Sequence, residues 1–158
     1  MFQYIGENAD FPPLILPVIA LIVWSLFMTL WMVVARVMLA VRYAQRGEET
    51  VPATPSPSDK PALPDTVKWI GDNANHLLEQ PILFYALCFA ATLSGVDDGI
   101  FLIASWVYVV LRIVHSMWQS LVNAVAVRFI LYIFFTLDLT YMAARFCFYL
   151  CVPGVDTV

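Results

Sequence analysis

Three sets of polar residues in this chain have the types and spacing to do chemistry. Asp72, His76 and Glu79 are four and three residues apart. Arg112, His115 and Gln119 are three and four apart. Arg128 and Tyr132 are four apart. Each set therefore falls on one face of a helix. Imidazoles and a carboxylate can exchange protons near neutral pH. A guanidinium is a permanent cation that can hold an anion, and a phenol can donate a hydrogen bond to it. These residues border runs such as ILFYALCFAATL, residues 82–93, which is bilayer material. A charge at the centre of a membrane helix costs ~2.5–3.5 kcal/mol on insertion scales, so such residues are compensated by a partner, functional, or both.

Composition places the chain. Of 158 residues, 61% are hydrophobic and 13% charged, and the mean hydropathy is +0.79. A soluble domain carries about 25% charged residues, so this is an integral membrane protein and the lipid bilayer is its first partner. A net charge of −4 leaves no basic patch for a nucleic-acid partner. Cys88, Cys147 and Cys151 sit in apolar runs without metal-ligand or redox-pair spacing, and read as small buried hydrophobes; no metal site is expected. The opening MFQYIGENADFPP has acids and no bases. A cleavable signal needs a positive n-region, so this end is expected to stay in the mature protein.

The elements that must position the polar sets follow from hydropathy. Apolar runs predict spans over about 14–41, 67–94, 100–119 and 124–151, within a single domain 1–158. Between the first two, about 43–66, lies a loop with five prolines and both charge signs. Short links predict an all-α, up-and-down four-helix bundle. Arg42, Arg46, Lys60 and Lys68 flank the first loop and Arg128 lies near the third, whereas SGVDDG and the N-terminus hold only acids. The positive-inside rule then puts loops one and three in the cytoplasm and both termini outside. Span two leaves the cytoplasmic side and span three returns to it, so Glu79 and Arg112 reach similar depth and are expected to pair. Pro81 cannot donate to the Leu77 carbonyl, and a kink or a freed acceptor is expected there. Asp138 and Arg145, seven apart in span four, read as anchors between helices or at the interface.

The stretches N-x-x-H-L-x-E-x-P-x-L-F-Y, from Asn73, and R-x-x-H-S-x-x-x-x-x-x-N-x-x-x-x-R, from Arg112 to Arg128, resemble the membrane-associated proteins in eicosanoid and glutathione metabolism (MAPEG), in a bacterial branch. The resemblance implies a homotrimer of four-helix subunits in a bacterial inner membrane, with glutathione bound in clefts near the cytoplasmic face. It implies a thiol transferase or peroxidase acting on a lipophilic small molecule, although the family also holds a non-catalytic lipid-binding member. It places Arg128 as the catalytic arginine and Tyr132 beside it, with His76, Glu79, Arg112, His115 and Gln119 around the thiol. Arg42 is matched to a glutathione carboxylate, with Arg36 as a competitor. In the register of eukaryotic members this chain has Asp72 where they carry an arginine, His76 for an asparagine and Gln119 for a tyrosine. A non-catalytic lipid- or partner-binding trimer with a polar clasp is the alternative.

Overall fold

The computed structural model describes residues 12–46, 64–96 and 98–152; most of the 43–66 loop lies outside these. All elements among the described residues are helices: α1 Ile15–Arg46, α2 Asp65–Glu79, α3 Pro81–Leu93, α4 Gly99–Leu121 and α5 Val125–Cys151. Among the described residues, four helices are long and apolar enough to cross a membrane, α2 and α3 together making one of them. The all-α, four-span class expected from the sequence is the one observed.

Each helix starts and stops for a local reason. Pro17 lies in the first turn of α1, where a missing N–H is no loss. Pro81 opens α3 as its first residue and cannot continue α2, so the second span is broken at Gln80. After α3, Gly95 takes a φ of 70° while the amides of Gly95 and Val96 bond back to Thr92 and Ala91 carbonyls, a left-handed stop suited to glycine. Asp98 then caps α4, its Oδ1 accepting from the Ile100 amide at 2.9 Å. At the other end of α4, Asn123 adopts φ 54°, a conformation asparagine tolerates, and its amide bonds to the Trp118 carbonyl at 2.9 Å.

Hydrocarbon offers no partners to polar groups, and five hydroxyls within the spans turn back on their own helices. Ser25, Thr29, Thr92, Ser105 and Thr140 each donate to the carbonyl four residues earlier, at 2.8–2.9 Å. Packing centres on aromatic rings: Tyr108 stacks on Phe84 with centroids 4.5 Å apart and meets Phe135 edge-on at 6.1 Å. Leu21, Phe101 and Met142 are buried around them. Outward, Leu16, Val23, Leu26, Leu83, Ile103, Phe129 and Leu137 stay exposed, an apolar coat that lipid solvates. The α5 helix packs on α4 and α3.

Candidate functional site

The helix break creates the first part of the site. Where α2 ends, its last carbonyls have no intrahelical donors. Arg112, on α4 and 1% exposed, reaches this end of α2 one position earlier: its Nη2 donates to the His76 carbonyl oxygen at 2.7 Å. Its Nη1 donates to Gln80 Oε1 at 3.2 Å, and the guanidinium lies 4.7 Å from the centre of the Phe135 ring, a cation–π distance. The Gln80 amide in turn donates through Nε2 to Thr136 Oγ1 on α5 at 3.3 Å. One cation thus ties three helices together at the break. The acceptor that Arg112 takes is the carbonyl of His76, whose own i+4 donor is the Gln80 amide, and not the Leu77 carbonyl that Pro81 leaves without a donor. The expected pairing of Glu79 with Arg112 is not formed. Glu79 is exposed, and among the described residues the sole ion pair joins Arg145 and Asp98. The reason is physical: α2 ends at Glu79 and turns its side chain outward, while a carbonyl and a neutral amide reach the guanidinium first.

Arg128 stands in the first turns of α5. Its Nη1 donates to Asn123 Oδ1 at 2.6 Å, so the left-handed turn that stops α4 also aims the acceptor. In the amide orientation that its neighbours dictate, Gln119 Oε1 accepts from Arg128 Nη2 at 3.2 Å and from the Asn73 amide at 3.3 Å. The Nε atoms of Arg112 and Arg128 are buried without a partner. Both cations are therefore hydrogen-bonded to neutral groups, and neither forms an ion pair among the described residues.

Arg112 and Arg128 line one cleft of about 220 Å³, with His76, His115 and Tyr132. Gln80, Val125 and Phe129 complete its wall. His115 and Tyr132 each set an edge against Phe135, at 5.4 and 5.3 Å between centroids, so one ring orients both. A second hollow of about 260 Å³ adjoins the cleft through His76 and Arg128 and carries Asp72, Asn75 and Glu79.

Of the residues singled out from the sequence, Arg128, Tyr132, His76, Arg112 and His115 meet in the cleft. Glu79 lies in the adjoining hollow. Gln119, 0% exposed, stands behind the wall and reaches the cleft through Arg128. Arg42 is exposed near the end of α1 and lines neither space. The Arg36 guanidinium presses on Gly71, where an added Cβ would meet Nη2 at 2.9 Å; this contact packs α1 on α2. Two residues were not singled out beforehand. Gln80 bridges α4 to α5, and its one signal is a polar letter directly before Pro81. Asn73, quoted only as part of a motif, donates from Nδ2 to Ser116 Oγ at 2.8 Å. The same oxygen accepts from Trp24 Nε1 at 3.1 Å, which pins α1, α2 and α4 just behind the cleft.

Such an arrangement can hold an anion on two cations, with a phenol and two imidazoles beside it. No curated protein and no solved structure matches the chain. A family model does, over residues 14–148, most of the length and every helix that builds the cleft. The chain belongs to the MAPEG family, and is an integral, multi-pass membrane protein.

Proposed function

We propose that this protein is a membrane-embedded transferase that joins a thiol, glutathione or a close analogue, to a lipophilic electrophile, with Arg128 holding the thiolate. The observation that carries this reading is the pair of guanidiniums that share a cleft with only neutral hydrogen-bond partners. MAPEG members include glutathione transferases and peroxidases, which fits the same chemistry.

The magnitudes suffice. A free thiol has a pKa of ~8.5, so at neutral pH only a few per cent is thiolate. Lowering that value by about two units requires ~2.7 kcal/mol of differential stabilisation. One guanidinium at ~4 Å supplies ~4 kcal/mol at an effective dielectric of ~20. With an α,β-unsaturated carbonyl, the sulfur forms a bond to the β-carbon and the π pair moves to the carbonyl oxygen. Tyr132 is the donor beside that oxygen, and the proton released by the thiol ends on the α-carbon. With a lipid hydroperoxide, the thiolate attacks the outer oxygen and alcohol leaves. A second thiol then displaces water, so two thiols are oxidised to a disulfide and the peroxide is reduced.

Glutathione brings two carboxylates that need charge-assisted partners. The cleft of one chain offers Arg112 and Arg128, and Asp72 stands close by where a cation would be welcome. We propose that the protein acts as a homotrimer in which Arg42 of a neighbouring copy reaches one of those carboxylates. The site then sits near the cytoplasmic face of a bacterial inner membrane, with both termini outside. The alternative, a non-catalytic lipid- or partner-binding trimer, draws on Arg112, whose tether of three helices is what a structural clasp needs.

The deciding experiment is conjugation of glutathione at millimolar levels to a generic electrophile, with wild type and Arg128→Ala compared in one detergent. An Arg128→Ala loss of about 100-fold in kcat/KM is expected from the two units above. No turnover in wild type, or equal turnover in the variant, favours the binding reading.

A further inference from the structure

The polar cleft holds more positive charge than a thiolate uses. Arg112 and Arg128 bring two guanidiniums to it, and a thiolate answers one of them with a single acceptor atom. A third source of positive potential stands with them. The α5 helix starts at Val125, which also lines the cleft. It has no side-chain cap and no acid in its first turn, and its first helical bond runs from the Arg128 amide to the Ala124 carbonyl. The amides of Val125, Ala126 and Val127 therefore have no acceptor among the described residues, and they carry the positive end of the helix dipole. We propose that the cleft is also a phosphomonoester site, and that a phosphoryl dianion seated there competes with the thiol. The inference rests on the thiol-transfer reading and names a regulator of the same site.

Four features carry it. A phosphomonoester has a charge of about −1.5 to −2 near neutral pH and three acceptor oxygens. That matches two guanidiniums, a helix terminus and the Tyr132 hydroxyl in one cleft. Next, Arg112 is 1% exposed and its Nε has no partner, so this cation, withdrawn from water, gains more from a facing anion than a surface arginine would. The acids nearby, Asp72 and Glu79, line the adjoining hollow and not the cleft; they repel a dianion from the hollow and confine it to the cleft. Finally, the depth suits a lipid headgroup. The α4 helix has 23 residues, ~34 Å against a ~30 Å hydrocarbon core, so the end it shares with α5 reaches the lipid phosphates. Arg128 lies in the first turn of α5, ~4.5 Å along its axis. The opposite end of the bundle shows the same two parts already closed, since there Asp98 caps α4 and pairs with Arg145. Among the described residues, none supplies such an anion at the cleft.

The test measures glutathione conjugation to a generic electrophile by wild-type protein in phosphatidylcholine nanodiscs, with and without phosphatidic acid. Phosphatidic acid should raise the apparent KM for glutathione about tenfold and leave kcat unchanged. Phosphatidylglycerol, a diester matched for total lipid charge, should raise it less than about twofold, through the surface field alone. Equal effects of the two lipids overturn the proposal while leaving the thiol chemistry standing. Methyl phosphate at millimolar levels in the neutral discs separates the sources. Competition by it upholds the site with a soluble ester as its ligand, inhibition by phosphatidic acid alone upholds it with a headgroup, and competition by neither overturns it. Val125→Pro then removes one amide without altering charge. Ala124 already has ψ 113°, close to the extended setting that a following proline requires, and proline suits the first helical position. The inhibition constant, read against the variant's own KM, should weaken about tenfold; an unchanged constant overturns the helix terminus as part of the site. If wild type conjugates no thiol at all, the transferase reading fails and binding is read directly. Native mass spectrometry of protein released from mixed discs should then show phosphatidic acid retained over phosphatidylglycerol by wild type and not by Arg128→Gln. Equal retention of the two lipids by wild type overturns the site.

Discussion

The two ends of the bundle treat an intramembrane arginine in opposite ways. At the end that carries the α3–α4 turn, Arg145 Nε donates to Asp98 Oδ2 in an ion pair, and the Ile100 amide takes the other carboxylate oxygen. The Arg145 hydrogen bond, with help from that amide, holds the Asp98 carboxyl below the usual carboxylate range, against the opposing effect of burial. At the end that carries the α4–α5 turn, Arg112 and Arg128 bond to a carbonyl, three side-chain amides and a ring face, and among the described residues form no ion pair. A neutralised cation anchors α5 to the start of α4. An un-neutralised one keeps its field for a ligand. The difference between anchor and site lies in the partner and not in the arginine.

The strongest way to break that contrast is to give the second end an acid. Gln119→Glu keeps the shape and sets a carboxylate where Gln119 Oε1 now accepts from Arg128 Nη2. An internal anion then competes with the thiolate, and conjugation should fall by about 100-fold, as it does when the cation is removed. The melting temperature of the solubilised protein should hold or rise. Full activity in this variant would mean that the field of Arg128 is not what the cleft uses.

The converse change removes the acid from the first end. Asp98→Ala deletes both a helix cap and the partner of Arg145, and a loss of about 1–2 kcal/mol is expected from the cap alone. It should show as a lower melting temperature with thiol conjugation unchanged, since the residue lies at the opposite end. The pH dependence sharpens this. A carboxyl with a lowered value in the folded state contributes stability that is complete above the ordinary aspartate value of ~3.9 and is lost as pH falls through its own lower value. Melting of wild type should therefore decline in acid below about pH 4 more steeply than that of Asp98→Asn. Identical acid limbs would remove Asp98 from the account.

What the sequence tells about these ends follows from what it can encode. Spacing brought Arg112 with His115, and Arg128 with Tyr132, to one cleft, because a helix converts intervals of three and four into a shared face. Pro81 marked the break in the second span through its missing N–H. The partner of Arg112 was not legible, since backbone acceptors carry no letter: the His76 carbonyl accepts from Arg112 only because α4 packs against the last turn of α2. A charge-matching argument naturally chose Glu79 instead. Gln80 escaped for a related reason, being one polar letter in an apolar stretch whose use depends on α4 and α5 arriving together. Asn123 belongs to the polar residues that the sequence gathers near this face with Arg128, but the left-handed turn that aims its Oδ1 at that arginine is not written in the spacing.

The smallest predicted effect tests that correction directly. Were Glu79 half of a buried clasp, its neutralisation would strand the Arg112 charge, and breaking such a pair costs about 3–5 kcal/mol. With Glu79 exposed and Arg112 held by His76 and Gln80, Glu79→Gln should change stability by no more than about 0.5 kcal/mol, as for an ordinary surface change. Gln80→Ala supplies the contrast, because it leaves Arg112 Nη1 and Thr136 without their shared partner and should cost about 1–2 kcal/mol. Thermal melts of both variants in the same detergent give the order. A larger loss for Glu79→Gln than for Gln80→Ala would restore the acid to the clasp, and would make this end of the bundle an anchor like the other.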